Sequence, residues 1–123
     1  MNAIEVLNPK SLGTCINKSW SPQLLAELNG QHIKLARFEG IFPWHAHQDE
    51  DEAFLVVDGS FIMRYRTDGQ AGEHSSVAEI EKTLNAGELI VIPAGVEHSP
   101  MTLEGETALV MLFEPASTEQ YGD

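Results

Sequence analysis

With 123 residues, the chain is long enough for one domain with a packed core, and its hydrophobic fraction of 42% is spread over short runs. None of these runs approaches the roughly 20 consecutive apolar residues of a membrane helix, so we expect no membrane partner. Nineteen acidic residues against seven basic residues give a formal net charge of −12. Such a charge repels phosphate backbones, which excludes nucleic acid as an expected partner.

The start of the chain does not have the basic segment and long apolar run of a secretory signal, so we expect a cytoplasmic location. Cys15 is the single cysteine and has no intramolecular partner. It also lies far in sequence from every candidate site. We therefore interpret it as a packed or exposed thiol and not as a nucleophile.

Turn signals recur at short intervals, which is typical of an all-β domain. They are Asn29-Gly30, Asp58-Gly59, Asp68-Gly69, Ala86-Gly87, Ala94-Gly95 and Glu104-Gly105. Before the first of them, residues 11–20 are compatible with a short N-terminal helix, which Ser21-Pro22 would end. Little of the remaining chain has room for helix.

Residues 24–28 and 32–38 are predicted to form a hairpin, because Asn29-Gly30 readily takes the positive φ values of a two-residue turn. Residues 76–84 fit either a helix or a strand from periodicity alone. Four further runs rich in Val, Ile, Phe and Leu predict strands, at residues 53–57, 61–67, 89–92 and 107–113.

His45 and His47 have the composition and spacing of metal ligands. On a strand, residues i and i+2 project from the same face, so both imidazoles can point at one ion. The pattern His-X-His alone is a weak signal, since two surface histidines occur by chance. Its value depends on whether further ligand residues occur later in the chain.

Glu52 begins the next apolar run after the turn-like residues 48–51, so a hairpin would return its carboxylate beside the two histidines. His98 comes after the tight turn at residues 93–97 and would supply a fourth ligand from across a barrel. Imidazole and carboxylate together suit Fe, Mn, Ni or Zn, so the expected cofactor is one divalent metal ion.

Two ordered strings of residues contain these ligands. The first string is Gly40, His45, His47, Glu52 and Gly59, and the second is Gly87, Pro93, Gly95 and His98. Both resemble the two motifs of the cupin superfamily, in particular those of small single-domain bacterial cupins. The chain departs from them by one residue fewer before His45 and by Thr102 in place of the final Asn. Neither departure touches a ligand position.

This resemblance implies a double-stranded β-helix, that is, a jelly-roll barrel of two sheets with residues 76–84 as a strand. It also implies a single cupin domain over residues 1–123, with a core barrel over about residues 22–115. The ligand set that it implies is the one already identified, namely His45, His47, Glu52 and His98.

Four residues are candidates for a substrate pocket: Phe54, Arg64, Tyr65 and Thr102. Phe54 shares a strand face with Glu52 and should line the cavity. Arg64 and Tyr65 alternate, so only one faces inward; an inward Arg64 would suggest an anionic substrate, and an inward Tyr65 would belong to the core. Trp44 should project away from His45 and serve as a packing anchor.

Other polar side chains near the motifs have simpler interpretations. We interpret Asp49, Glu50 and Asp51 as a solvated loop, the alternative being a second cation site. His32 and His74 lie outside both motifs and are not assigned a role. No other titratable group stands beside the ligands in the sequence as an obvious general base, which favours chemistry carried by the metal itself.

Four protein ligands leave an octahedral ion two open positions, which suits a small oxygen-rich substrate. The cupin resemblance admits dioxygenases, isomerases and non-catalytic modules that bind a small sugar or acid, and the motifs do not choose among them. The open edges of a β-sandwich and the apolar residues near the first hairpin further predict a homodimer.

Overall fold

The structure is a computed structural model that describes residues 4–67 and 78–123. In chain order its elements are α1 (Pro9–Gly13), β1 (Gln23–Leu28), β2 (Gln31–Phe38), β3 (Glu52–Thr67), β4 (Ala78–Asn85), β5 (Leu89–Ile92), β6 (His98–Met101) and β7 (Ala108–Pro115). All strand pairs are antiparallel. This architecture confirms the expected all-β jelly-roll barrel. None of the helices in the described ranges has the length and apolarity needed to cross a membrane.

The helix lies earlier and is shorter than the predicted residues 11–20. Asn8 caps its start by accepting a hydrogen bond from the Ser11 amide at 3.1 Å, and Pro9 occupies the first turn, where its missing N–H is not needed. After Gly13 the backbone forms i→i+3 hydrogen bonds, such as Ile16 amide to Gly13 oxygen at 3.1 Å, and Arg37 donates to the backbone oxygens of Gly13 and Ile16 at 2.8 and 2.9 Å. A tertiary contact therefore satisfies carbonyls that the end of the helix leaves without intrahelical partners.

The predicted hairpin is confirmed as β1 and β2. Its turn residues, Asn29 and Gly30, have φ values of 50° and 79°, as a two-residue turn requires. On its other edge β2 pairs with β7, and β7 in turn pairs with the first half of β3. The result is one sheet in the order β1-β2-β7-β3, with β5 also on β3.

The prediction of separate strands at 53–57 and 61–67 is wrong, because both belong to the single strand β3. A register shift between Val56 and Asp58 adds a residue to β3, and Gly59 has φ 78° where a Cβ would strike the Thr107 backbone. The strand then leaves the first sheet and pairs with β4 and β6 in the second. The extra residue also changes which positions face the core.

That change of phase explains the pattern of buried residues along β3. Before the bulge the buried positions are Glu52, Phe54 and Val56, and after it they are Phe61 and Met63. The four apolar ones among them join a core cluster with Ala36, Phe38, Leu84, Ile92, Ala108, Val110 and Leu112. The core thus fills the space between the two sheets.

The remaining strands agree with expectation except for β6. The run at 89–92 is confirmed as β5, and the run at 107–113 appears as β7, shifted by one or two residues. The strand implied for 76–84 is β4; its first two residues, together with Asp68-Gly69 and His74, lie outside the described residues. β6 was not predicted, because its four residues contain Pro100 and no apolar run.

Candidate metal centre

The structure brings together the four residues that the sequence singles out as ligands. One ligand atom from each of His45, His47, Glu52 and His98 lies within 4.8 Å of the others. Glu52 begins β3 and His98 begins β6. Three of the four are almost fully buried, with exposed fractions of 3% for His47, 5% for Glu52 and 1% for His98.

His45 and His47 lie outside the regular strands, contrary to the expectation that they share a strand face. They belong to residues 39–51, which we call the ligand loop. Within it His45 forms an isolated antiparallel bridge with His98, whose two backbone hydrogen bonds are 3.1 and 2.9 Å long. The expected hairpin between the two histidines and Glu52 does not form among these residues. The ligand loop is instead hydrogen-bonded to the turn before β6, where the Gly95 amide donates to the His47 oxygen at 2.7 Å.

Backbone carbonyls determine which ring nitrogen two of the histidines offer. His45 Nδ1 lies 2.8 Å from the Pro43 oxygen, and His98 Nδ1 lies 2.9 Å from the Val96 oxygen. Because a carbonyl oxygen can only accept, each Nδ1 must carry the proton and donate it. Nε2 of each ring is therefore left free to bind an ion.

The pKa values of the clustered residues are shifted in different directions. Burial, with the neighbouring His98, lowers the pKa of His45 to about 4, whereas the contact with Glu52 raises the pKa of His47 above its usual 6.5. Burial alone would raise the pKa of Glu52, but its contacts with His47 and His98 outweigh burial and hold that pKa far below the usual range. At neutral pH Glu52 is thus an anion and His45 is neutral.

Buried nitrogens without partners make this cluster suitable for a cation. Nε2 of His47 and of His98 lie 3.3 and 3.6 Å from Glu52 Oε1, and neither forms a hydrogen bond with the described residues. Unpaired buried polar atoms are costly, and a bound ion would satisfy them. The donor set of three imidazoles and one carboxylate fits Fe, Mn, Ni or Zn.

A cavity of about 140 Å³ adjoins the cluster, and His45 and Glu52 form part of its wall. Much of the remaining wall is aromatic or aliphatic, with contributions from Trp20, Pro22, Ala36, Phe38, Phe42, Phe54, Pro100 and Leu112. A cavity of roughly 150 Å³ is known to hold one benzene molecule. The space therefore suits a ligand of about one six-membered ring.

Two charged residues of the cavity wall were missed in the sequence. Lys34 on β2 and Glu114 on β7 line the cavity, and Lys34 Nζ lies 2.8 Å from Glu114 Oε1. Burial, together with the neighbouring Glu52 carboxyl, raises the pKa of Glu114 to about 8, although Lys34 opposes this shift. Two titratable groups therefore stand beside the ligands in space, although the sequence showed no obvious general base there.

Strand periodicity contains the signal that would have found this pair. Lys34, Ala36 and Phe38 are each two residues apart on β2, so Lys34 shares the inward face of the other two. Glu114 shares a face with Leu112 on β7 for the same reason. A charge on an otherwise apolar strand face is the informative observation. Their pairing with each other depends on the β2–β7 register, which the sequence does not reveal.

The four candidate pocket residues are dispersed by the fold, and Phe54 alone among them is in the cavity wall. Tyr65 packs against the core cluster. Arg64 Nη2 instead donates to Ser99 Oγ at 2.6 Å. Thr102 is buried and its Oγ1 accepts from the Gly40 amide at 2.8 Å, which shows how the chain uses Thr at the last motif position.

Trp44 lies against the outer side of the second sheet. The guanidinium carbons of Arg66 and Arg64 are 3.9 and 5.1 Å from its ring centroid. These arginines alternate with the inward-facing Met63 and Tyr65, so Trp44 is held away from the cavity by cation–π contacts.

The sequence matches the Cupin_2 family, described as a cupin domain, over residues 32–113. This match covers more than half of the chain, and the chain belongs to the Cupin_2 family. Protein YdbB of Bacillus subtilis is 30% identical over 74 residues, which are 60% of this chain and 56% of that protein. Auxin-binding protein ABP19a of Prunus persica is 33% identical over 67% of this chain and 38% of its own length. The matched part thus spans about half or less of these curated relatives.

Solved structures agree with the family. A cupin-2 domain protein from Shewanella frigidimarina is 37% identical with a TM-score of 0.73, and the match covers 89% of this chain and 94% of that one. Hydroquinone 1,2-dioxygenase from Sphingomonas sp. TTNP3 superimposes with a TM-score of 0.73 at 18% identity, over 93% of this chain and 33% of that one. At that identity the likeness to the dioxygenase shows the fold alone.

Proposed function

We propose that this cupin is a metal-dependent enzyme that oxidises a small oxygen-rich molecule of about one six-membered ring. The observation that carries the proposal is that His45 and Glu52 of the candidate metal centre also form part of the wall of a cavity of about 140 Å³, which is otherwise lined in good part by aromatic and aliphatic side chains. A ligand in that cavity would lie directly against the ligand cluster, and its apolar wall would exclude water.

His45, His47, Glu52 and His98 would hold one divalent metal. When bound, a redox metal such as iron supplies the one-electron chemistry that lets dioxygen react with a catechol or an enediol. In the proposed reaction one C–C bond of the substrate breaks and both atoms of dioxygen enter the product, so no external reductant is required. The three imidazoles are neutral in the metal-bound state, which leaves Glu52 as the single anionic ligand.

The cavity wall also supports the proposed substrate class. Aromatic side chains of Trp20, Phe38, Phe42 and Phe54 suit the face of a planar ring. The Lys34–Glu114 pair presents an ammonium donor next to a carboxyl acceptor. A hydroxyl group both donates and accepts, so it can contact the two partners at once without separating them.

Two structurally similar proteins support the same substrate class. The Sphingomonas dioxygenase was solved with 4-hydroxybenzoate bound, and the hydroquinone 1,2-dioxygenase PnpCD was solved in complex with Fe³⁺. A six-membered ring is of the size that the cavity admits, and iron is one of the metals that the donor set fits.

The proposal is tested by loading the purified protein with Fe²⁺ and measuring oxygen consumption with catechol, hydroquinone and small enediols. We expect turnover that Glu52→Gln abolishes and that Lys34→Met reduces through weaker substrate binding. Lys82→Met, which removes an exposed lysine from β4, is the matched control. Tight binding of one compound with no product from any of them would contradict the proposal and favour a binding module.

Isomerisation is the second candidate, and the Lys34–Glu114 pair is the observation that favours it. A carboxyl group beside the cavity can hold a proton and return it to a neighbouring carbon of an enolised sugar or keto acid. Incorporation of solvent deuterium into a metal-bound sugar phosphate, without oxygen consumption, would support this reaction over oxidation.

We also propose that the chain forms a homodimer through β1. Among the described strands β1 pairs with β2 alone, and Leu24 and Leu28 on it are 53% and 59% exposed. An apolar edge strand is a template for pairing with a second copy. Light scattering should give a dimer at micromolar concentration, and Leu24→Lys should shift it towards monomer; a wild-type monomer would refute the proposal.

A further inference from the structure

The chain after β7 returns to the metal centre and touches the backbone on both sides of His47. We call residues 117–123 the C-terminal segment. The Asp123 amide donates to the Ala46 oxygen at 3.1 Å, and the Gln48 amide donates to Asp123 Oδ2 at 2.7 Å. One residue of this segment thus fixes the two peptide groups that flank a candidate ligand.

Neighbouring residues of the C-terminal segment extend the contact along the ligand loop. The Tyr121 ring stacks on Phe42, with 5.0 Å between centroids and 21° between planes. Gly122 has φ 85°, and a Cβ on it would lie 2.6 Å from the Ala46 oxygen and 3.0 Å from His45 Cβ. The approach is close enough that only glycine fits without displacing the backbone between His45 and His47.

The His47 ring differs from the other two imidazoles in its second nitrogen. Nδ1 of His45 and of His98 donate to carbonyl oxygens, whereas Nδ1 of His47 is buried and forms no hydrogen bond with the described residues. Metal-bound histidines generally donate their other N–H to a carboxylate, a carbonyl or water. His47 has no such partner in place among the described residues.

A carboxylate with an unused acceptor lies close to His47. One ligand atom from each of His47, Glu50 and Asp123 lies within 4.8 Å of the others. Glu50 Oε1 is buried without a hydrogen-bond partner among the described residues, while Glu50 Oε2 accepts from Ser117 Oγ at 3.0 Å. The C-terminal segment therefore also holds a carboxylate that lies close to the unpartnered ring.

We propose that Glu50 and the C-terminal segment are positioning elements of the metal centre. Glu50 accepts the Nδ1 proton of His47 when Nε2 binds the ion, and Gly122 and Asp123 hold the ligand loop so that His45 and His47 converge. This inference rests on the proposed metal binding. It corrects the interpretation of Glu50 as part of a solvated loop, and it makes a segment outside both cupin motifs part of the site.

The first test replaces the carboxylate and measures Co²⁺ affinity by visible absorbance at neutral pH. Glu50→Ala should weaken Co²⁺ binding about 10- to 100-fold, the usual effect of losing an outer-shell partner of a ligand. Glu50→Gln keeps an oxygen acceptor and should recover most of the affinity. Asp49→Ala removes the same charge from an exposed position of the same loop and should leave the affinity within about twofold of wild type.

Stability of the metal-free protein separates positioning from a merely structural role. Glu50→Ala removes an unpartnered buried acceptor, which is a cost to the fold, together with the exposed hydrogen bond from Ser117, so it should leave the melting temperature of metal-free protein nearly unchanged while the Co²⁺ affinity falls. A variant that lost stability and kept its Co²⁺ affinity would show a structural role and overturn the inference.

The second test uses two glycines with the same backbone conformation. Gly122→Ala and Gly105→Ala both place a side chain at φ near 80°, but nothing lies within 4 Å of a Cβ at Gly105. Gly122→Ala should weaken Co²⁺ binding at least about tenfold, and Gly105→Ala should not change it. Equal affinities of wild type, Glu50→Ala and Gly122→Ala would overturn this inference alone, whereas wild-type protein that takes up no Co²⁺ would overturn the proposed function and this inference together.

Discussion

Glu52 and His98 occupy the first positions of β3 and β6, where pairing with β5 and with the second half of β3 fixes their backbone. His45 and His47 lie in the ligand loop, which has only isolated bridges within the described part of the chain. Its geometry depends on hydrogen bonds with residues far away in sequence, among them His98, Thr102 and Asp123. Two of the candidate ligands, Glu52 and His98, therefore form one half of the centre and lie on paired strands. The other half, His45 and His47, lies in a loop that is hydrogen-bonded to the barrel.

This difference has a consequence for stability. Ladder hydrogen bonds of a barrel strand open only when much of the fold opens, whereas a loop without a continuous ladder can open alone. We therefore expect the ligand loop to open more readily than the strands.

The largest loss of metal affinity should come from removing a candidate ligand from either half of the centre. We expect His47→Ala and Glu52→Ala each to weaken retention of a divalent metal by more than about 100-fold, beyond the usual loss for an outer-shell change. Elemental analysis after dialysis, with His32→Ala on the hairpin as control, measures this loss. Full metal occupancy in His47→Ala would contradict the assignment of the site.

Metal affinity should fall steadily on acidification. The ion binds unprotonated His47, whose pKa is raised by Glu52, so lowering the pH below that raised pKa adds a proton that the ion must displace. We expect a loss of at least about tenfold per pH unit between about pH 6.5 and 5.5, the slope that proton competition at His47 alone gives. His45, with a pKa of about 4, adds nothing in this range. Affinity that does not change between about pH 7 and pH 5 would be inconsistent with this account.

In metal-free protein, the contribution of His47 to stability should have the opposite pH dependence and increase as the pH falls. A raised pKa of His47 stabilises the folded state below the unfolded value of 6.5, and this contribution disappears as the pH rises through the raised pKa. The lowered pKa of Glu52 stabilises the folded state above the unfolded value of 4.5, and this contribution is lost on stronger acidification. Urea unfolding of wild type and His47→Gln between about pH 5 and pH 8 tests the first trend as the difference between the two proteins, because the lowered pKa of His45 destabilises both as the pH falls below 6.5.

Hydrogen exchange should distinguish the two halves directly. In metal-free protein the Gln48 amide, bonded to Asp123, should exchange at least about tenfold faster than the Val56 amide, which is bonded to the Glu88 oxygen within the barrel. Nuclear magnetic resonance of exchanging amides measures both rates. Equal protection would show that the ligand loop is as rigid as the strands.

The smallest effect should come from Thr102, which links the two halves by bonding the Gly40 amide at the start of the ligand loop. Thr102→Val keeps the shape and leaves that amide without its acceptor, so it should destabilise the protein by about 1–2 kcal/mol. Thr102→Ser retains the hydroxyl and should lose less. Chemical denaturation compares the two, and equal losses would show that methyl packing matters more than the hydrogen bond.

Local chemistry explains what could be predicted from the sequence. Asn29-Gly30 closes a hairpin because positive φ is a property of those two residues. The spacing of His45, His47, Glu52 and His98 within two motifs identifies a cluster that the fold does bring together. Alternation also places Phe54 on the cavity side together with Glu52. Each of these inferences depends on residues that are close in the chain or on a motif pattern.

Tertiary structure decided the rest, because it depends on contacts between residues that are far apart in the chain. Lys34 meets Glu114 only through the register of β2 on β7, and the bulge after Val56 reverses the inward face of β3. Arg37 on β2 donates to the Gly13 oxygen at the end of α1. The C-terminal segment reaches Ala46 and Gln48 across some 75 residues of chain. The composition of the ligand set was thus determined by the sequence, whereas its surroundings were decided by the packing of distant strands, whose register no local pattern encodes.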